Sequence, residues 1–318
     1  MSAMIEARGL KRTYRSRGKQ IEAVRSLDIR VNQGELVGFL GPNGAGKTTT
    51  LKMLCTLLEP TDGEATVAGS DLRRDSVGVR RKIGYVSQAG STSPDAIVGE
   101  EIVSHAQFYG IDRATAAKRG QQLLADLDLG DVWKRPCGSL SGGQRRRLDI
   151  VMGLIHEPEL VFLDEPTTGL DPQSRANLWS HIRGLRDRLG TTVFLTTHYM
   201  DEADSLSDRI LIIDHGMIVA EGTPAELKQR VSGDAITLTL RHEEDARKAA
   251  GIAGRLEGAD VPIIEAHVVR LHVPDGGRAL PVLLAELTRS GVDAIGVDVN
   301  RPTLDDVFLA LTGRSLRD

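Results

Sequence analysis

The sequence predicts an α/β protein: a mostly parallel sheet with helices on both faces, interrupted by a helical insertion and followed by a smaller α+β domain. Three observations carry that reading. Short apolar runs alternate with amphipathic helical stretches over the first 230 residues, the pattern left by strands joined through crossover helices. One run, Leu36 to Leu40, passes directly into a glycine-rich loop and then into a helix. Beyond residue 234 the order of elements becomes β-α-β-β-α-β, which fits a ferredoxin-like split βαβ unit.

Taking the elements in order, Met4 to Ala7, Leu27 to Val31 and Glu35 to Leu40 read as strands, with the turn Asn32-Gln33-Gly34 between the last two. Lys47 to Leu58 has helical spacing and stops before Pro60, and Glu64 to Ala68 is a short strand. From about 90 to 159 the texture is helical, with Val98 to Tyr109, Arg113 to Leu127 and a third helix starting at Ser141. Strands return at Leu160 to Leu163, Thr192 to Thr196 and Ile210 to Ile213, separated by the helical stretches Ser174 to Leu189 and Met200 to Leu206. A closing helix and linker run from Glu221 to Gly233. The second domain then reads as strand Ile236 to Leu240, helix Glu243 to Leu256, strands near Ile263 and at Val268 to Val273, helix Arg278 to Arg289, and strand Ala294 to Val299. A last helix opens with Thr303 and Asp306 as a capping box.

The 318 residues are enough for roughly two domains of about 150 each, and these patterns divide them into 1–230 and 234–318. A hydrophobic share of 40 % with 26 % charged residues is that of a globular chain and excludes disorder. The net charge of -4 argues against nucleic acid as the main partner, since phosphate neutralisation needs an excess of Lys and Arg. No apolar run reaches the ~18 residues of a spanning helix, and the opening MSAMIEARGLKRTY has no signal-peptide core, so a cytoplasmic chain is expected, at most attached to a membrane protein. Cys55 and Cys137 stand apart from each other and from any Cys/His cluster, and read as small hydrophobes.

Chemistry enters at Gly41-Pro42-Asn43-Gly44-Ala45-Gly46-Lys47-Thr48, a G-x-x-x-x-G-K-[ST] loop between strand and helix, with Thr49 continuing into the helix. Such a loop turns its N–H groups inward at the positive end of a helix and cradles phosphates. Lys47 would reach the β and γ phosphates of a nucleotide and Thr48 would ligate Mg2+. The apolar strand Leu160-Val161-Phe162-Leu163 ends in Asp164-Glu165, placing two acids at the carboxyl edge of the sheet. Asp164 is expected to hold Mg2+, and Glu165 to orient and deprotonate the attacking water. Ser141 caps a helix opened by Gly142 and Gly143, a second anion site carried away from the first by the helical insertion.

Leu140-Ser141-Gly142-Gly143-Gln144, followed by Arg145-Arg146-Arg147-Leu148, is the signature pentapeptide and its extension in ABC ATPases. With it, the chain from about Met4 to Leu227 resembles an ABC nucleotide-binding domain throughout, a P-loop NTPase with a mixed-sheet core and a helical subdomain. The resemblance implies that Tyr14 stacks on adenine, that Gln88 touches Mg2+ and the lytic water, that His198 contacts the γ-phosphate, and that Asp171 signals across a dimer. It further implies binding of ATP and Mg2+ and a head-to-tail pairing of two copies, in which one copy's Ser141 to Gln144 completes the other's site. The run Arg145 to Arg147 is expected to be a solvated helix face, and the histidines other than His198 bland surface positions. The ending Arg301-Pro302-Thr303-Leu304-Asp305-Asp306-Val307-Phe308 resembles that of the daunorubicin/doxorubicin-resistance type ATP-binding subunits. That implies export of a hydrophobic drug, antibiotic or lipid-like compound through a separately encoded permease at the cytoplasmic face of a bacterial membrane. The second domain, lacking a glycine-rich loop or acid cluster, is expected to serve dimerisation or regulation. The alternatives are an importer motor and a soluble ABC ATPase acting on nucleic acid or ribosomes.

Overall fold

The computed structural model describes residues 2–16, 19–231 and 233–313. In chain order the first part runs β1 (Ala3–Ser16), β2 (Lys19–Asn32), β3 (Leu36–Leu40), α1 (Lys47–Leu54), β4 (Asp62–Val67), β5 (Ser70–Asp71), α2 (Ser76–Lys82) and β6 (Ile83–Val86). Three helices follow, α3 (Val98–Phe108), α4 (Arg113–Asp126) and α5 (Gly142–Leu154). Then come β7 (Leu160–Asp164), α6 (Pro172–Leu189), β8 (Thr192–Thr197), α7 (Met200–Leu206), β9 (Arg209–Asp214) and β10 (Met217–Gly222).

Six of these strands form one sheet in the order β10-β9-β3-β8-β7-β6, parallel except for the edge strand β10. A second, antiparallel sheet has the order β2-β1-β4-β5. Alternate residues of the parallel strands feed two cores. Val161 and Leu163 of β7 pack with the helical insertion and α6, while Leu160 and Phe162 pack with α1 and the antiparallel sheet. Burial on both faces is why these strands read as unbroken apolar runs.

The β1–β2 hairpin is much longer than the short strands expected at its two ends. Its outer half, Lys11-Arg12-Thr13-Tyr14-Arg15 against Gln20-Ile21-Glu22, is held by backbone pairing with little burial, so hydropathy does not reveal it. Helix α1 stops at Leu54 instead of Leu58, because Thr56 turns to φ +61° and the amides of Leu57 and Leu58 fold back onto the Lys52 carbonyl.

The chain separates into two compact units, the second beginning at Ala225. It contains most of α8 (Pro224–Gln229), then β11 (Asp234–Leu240), α9 (Ala246–Ala253), β12 (Ile263–Glu265), β13 (Val268–Val273), α10 (Gly276–Arg289), β14 (Ala294–Asn300) and α11 (Leu304–Thr312). Its sheet has the order β12-β13-β11-β14 with every neighbour antiparallel, and Ile236, Leu238 and Leu240 of β11 pack against Ile252 of α9 and Leu283 and Leu287 of α10. A single 3-10 turn, Glu243–Asp245, precedes α9 where one continuous helix was expected. Thr303 and Asp306 close the capping box of α11. Among the described residues no helix is long and apolar enough to cross a membrane.

Candidate functional site

The site grows from the end of β3, whose five residues are all buried. The loop that follows is fixed by the Gly41 amide on the Thr197 carbonyl (3.2 Å) and by Gly46, which sits at φ +108° where an added Cβ would lie 2.5 Å from the Ala23 carbonyl oxygen. Only glycine fits that position. Helix α1 begins at the next residue with no side-chain cap and no acid in its first turn, leaving its orphan N–H groups to a ligand. Lys47 is almost fully buried; its Nζ donates to the carbonyls of Gly41 (2.8 Å) and Pro42 (3.1 Å) and lies 3.3 Å from Glu165 Oε1. Asn43, Gly44, Gly46, Lys47, Thr48 and Thr49 line one cleft together with Tyr14, Ile21, Ala23, Gln88 and Glu165. Tyr14 stands at the exposed rim opposite Ile21, with the Arg12 guanidinium 4.7 Å over its ring.

The two acids come from β7. Asp164 Oδ1 accepts from Thr48 Oγ1 (3.1 Å) and Thr196 Oγ1 (2.7 Å), so the sheet edge and the phosphate loop meet as expected. Glu165 follows at φ +44°, a left-handed conformation costly for a residue with a side chain. Its amide is held by Thr196, through Oγ1 at 3.0 Å and the carbonyl at 3.1 Å. Its carboxylate gathers Lys47, Gln88 Nε2 (3.0 Å), Thr168 Oγ1 (3.1 Å) and His198 Nδ1 (3.3 Å). Burial pushes this carboxyl up, but the Lys47 charge, His198 and the hydrogen bonds from Lys47 and Thr168 outweigh it, holding it below the ordinary value.

These residues fit a magnesium nucleotide. A hydroxyl and a carboxylate side by side are hard oxygen donors. Mg2+ in such a setting takes its remaining ligands from phosphates and water.

The signature residues stand apart from this cleft. Ser141 Oγ accepts from the Gln144 amide (3.2 Å) while Gln144 Oε1 accepts from the Ser141 amide (3.0 Å), a complete capping box at the exposed start of α5. A Cβ on Gly142 would meet nothing within 4 Å, and one on Gly143 would approach only Ser174, at 3.5 Å. Asp171 caps α6 through Ser174, accepting from its amide (2.9 Å) and hydroxyl (2.6 Å).

Two expectations need correction. Arg146 is not a solvated charge: it is buried, and its guanidinium donates to the carbonyls of Pro166 (2.8 Å), Asp164 (2.9 Å) and Ser87. The signal was present in the helical period, since Arg146 shares a face with the buried Asp149, Ile150 and Gly153 at spacings of three, four and seven. His156 is also no bland surface residue; it stacks on Tyr109 at 3.8 Å and its Nε2 meets the Ile83 carbonyl at 2.8 Å. Thr168 and Thr196, which hold Glu165 and Asp164, carried no motif that would single them out.

Comparison with known proteins adds independent findings. The family described as ABC transporter matches residues 24–168, and the family described as ATP-binding protein DrrA1-3-like, C-terminal domain, matches residues 222–312. The doxorubicin resistance ATP-binding protein DrrA of Mycobacterium tuberculosis is 39 % identical, over 96 % of this chain and 92 % of its own length. The daunorubicin/doxorubicin resistance ATP-binding protein DrrA of Streptomyces peucetius is 40 % identical, over 99 % of this chain and 94 % of its own. The linearmycin resistance ATP-binding protein LnrL of Bacillus subtilis is 35 % identical, over 99 % of this chain and all of its own. Among solved structures, a dimeric post-hydrolysis state of the ATP-binding cassette MJ0796 bound to ADP and Pi superposes with TM-score 0.64 at 26 % identity, covering 69 % of this chain and 98 % of that one.

Proposed function

Since the chain belongs to the ABC transporter ATP-binding subunits of the daunorubicin/doxorubicin-resistance type, we propose that it binds and hydrolyses ATP to drive a hydrophobic drug, antibiotic or lipid-like compound outward through a separately encoded permease. The observation that carries the mechanism is the convergence of Lys47, Gln88, Thr168 and His198 on the Glu165 carboxylate at the mouth of the phosphate loop.

In this reading the loop from Gly41 to Thr49 wraps the phosphates with backbone N–H groups, and Lys47 leaves Glu165 for the β and γ phosphates. Tyr14 carries the adenine face. Thr48 and Asp164, with Gln88 beside them, would hold Mg2+, which would supply charge neutralisation for the phosphates. Glu165, fixed by its strained backbone and by Thr168 and Gln88, takes a proton from water as that water's oxygen bonds to the γ-phosphorus and the bond to the β-phosphate oxygen breaks. His198 hydrogen-bonds the departing phosphate. An ionised carboxylate is the form such a base requires.

The other half of each site comes from a second copy. Ser141, Gly142, Gly143 and Gln144 present an exposed, already helical N-terminus with open space over Gly142, and a two-fold head-to-tail pair brings that end onto the partner's γ-phosphate. Asp171, tied through Ser174 to the neighbourhood of Gly143, lies where a change at the partner's nucleotide would be felt. The dimer works at the cytoplasmic face of a bacterial membrane, and the unit from Ala225 onward regulates or stabilises the pair.

The test is the purified full-length chain with Glu165→Gln beside it. The variant is expected to keep ATP affinity, to lose at least about 100-fold in turnover, and to run as a dimer only with Mg-ATP. Turnover at the parental rate would remove Glu165 from the role of base.

A further inference from the structure

We propose that Arg146 and Asp149, on the buried face of α5, are positioning residues that hold Gln88 and Glu165 in register with the signature end of the same helix. The proposal rests on the hydrolytic reading above and adds the device by which the two halves of the motor communicate within one chain.

The geometry is a double bracket. Arg146 donates to the Asp164 and Pro166 carbonyls, the residues on either side of Glu165, and to the carbonyl of Ser87, immediately before Gln88. Asp149, three residues on, accepts from the amide of Ser91 (3.1 Å), three residues after Gln88, and lies within 3.5 Å of the Ser91 hydroxyl. Gly90 completes the fit: at φ +78°, a Cβ there would stand 3.0 Å from Asp149 Oδ2. Both side chains are buried; burial pushes the Arg146 guanidinium down and the Asp149 carboxyl up, and each charge offsets part of the other's desolvation.

Three carbonyls on two separate loops need a planar donor with several N–H groups at fixed angles, which a guanidinium supplies and an ammonium does not. Arg146 lies five residues beyond Ser141, little more than one helical turn. A helix is stiff on that scale, so a shift of its N-terminus towards a phosphate carries the Arg146 and Asp149 side chains with it. Gln88 and Glu165 are then moved from both flanks.

The experiment uses the full-length chain carrying Arg146→Lys, Asp149→Ala or Asp149→Asn, each alone and with Gln88→Ala. Steady-state ATPase is measured beside hydrogen exchange of the peptide spanning residues 85–93. Arg146→Lys and Asp149→Ala are expected to lower kcat about tenfold with KM for ATP within about twofold, and Asp149→Asn, which keeps an acceptor for Ser91, to recover most of the loss. Exchange of the 85–93 peptide rises in the first two variants while that of α1 does not. In the Gln88→Ala background the further loss from Asp149→Ala disappears, because Asp149 acts only on the Gln88 loop, while that from Arg146→Lys shrinks to the part carried by the flanks of Glu165. Full additivity of Asp149→Ala with Gln88→Ala, a change in KM instead of kcat, or unaltered exchange at 85–93 would each overturn the proposal. Should Glu165→Gln turn over normally, the hydrolytic role of Glu165 fails by that result alone, and the exchange data still decide whether the bracket exists.

Discussion

The two helix N-termini proposed to meet phosphate are built differently. At α1 no side chain caps the helix, and the nearest charge, Lys47, is buried and engaged by two carbonyls and Glu165. At α5 a capping box satisfies the helix end from within, Ser141 and Gly142 are exposed with Gly143 and Gln144 half-buried, and no ion pair to these four residues forms among the described residues. At the first, cation and carboxylate hold each other, and on the proposed mechanism a nucleotide divides them. The second is a surface kept helical in advance, to be completed, on the proposed pairing, by a second copy. An anion site can thus be specified by buried charge or by preformed backbone, and the two modes should respond to mutation in opposite ways.

The largest contrast is expected from Lys47→Ala. Removing the ammonium takes away the charge-assisted contact to phosphate, so ATP affinity should fall at least about 100-fold in a titration of the full-length chain. It also leaves Glu165 buried without its nearest cation, and stability should drop by about 3 kcal/mol in equilibrium denaturation, a loss that adding Glu165→Gln largely reverses. Undiminished stability would mean that the first site is not organised by its ion pair. At the second site Gly142→Asp should do the reverse. A Cβ there meets nothing, and an acid in the first helical turn is favourable by about 0.5 kcal/mol, so the fold keeps or slightly gains stability. ATPase activity nonetheless falls about 100-fold and the Mg-ATP dimer is lost, because the carboxylate meets the partner's phosphate. A parental dimer in sedimentation would break the comparison at its second term.

A buried acid outside both sites sharpens the first term. Glu202 of α7 is fully buried where Glu165 opens onto the cleft, and among the described residues it forms no ion pair; burial, only partly offset by hydrogen bonds from Thr197 and Trp179, pushes its pKa up to about 7. Folded Glu202 therefore keeps its proton where the unfolded chain, with a carboxyl near 4.5, has released it. Stability contributed by this group is intact below pH 4.5, declines as pH rises from there to about 7, and is then lower by about 3 kcal/mol. Glu202→Gln should accordingly stabilise the chain at pH 8 and have little effect at pH 4.5. Equal urea midpoints for the two proteins at pH 8 would show that Glu202 ionises without penalty.

Much of the first site was legible because its chemistry is local. A glycine-rich loop between strand and helix, and an apolar strand ending in two acids, are statements about neighbours in sequence, and Thr48 meets Asp164 and Lys47 meets Glu165, the acids beside the loop as that reading placed them. What escaped was non-local. Arg146 is exposed or buried according to which loops pack on α5, and a run of three arginines gives no sign of which one turns inward unless the helical period is followed through Asp149 and Gly153. Thr168 and Thr196 are ordinary residues made important by what they touch. The long β1–β2 hairpin was missed because its outer half is held by backbone pairing, which hydropathy does not record.

The smallest expected effect belongs to that hairpin and asks whether the first site recognises anything beyond phosphate. Tyr14 sits at the exposed rim of the cleft with Arg12 over its ring, so it offers a nucleobase one flat surface and little desolvation. Stacking of a base on such a ring is worth about 1 kcal/mol, which predicts that Tyr14→Ala weakens ATP binding about fivefold while Tyr14→Phe leaves it unchanged. Because every base has a π-face, GTP should lose as much as ATP. If Tyr14→Ala binds as tightly as the parent, the cleft holds its ligand by phosphate alone, and the contrast with α5 lies wholly in how each helix end is kept ready. If only ATP is weakened, the ring reads the base edge through its neighbours Ile21 and Ala23, and the first site is a nucleotide site in a sense the second is not.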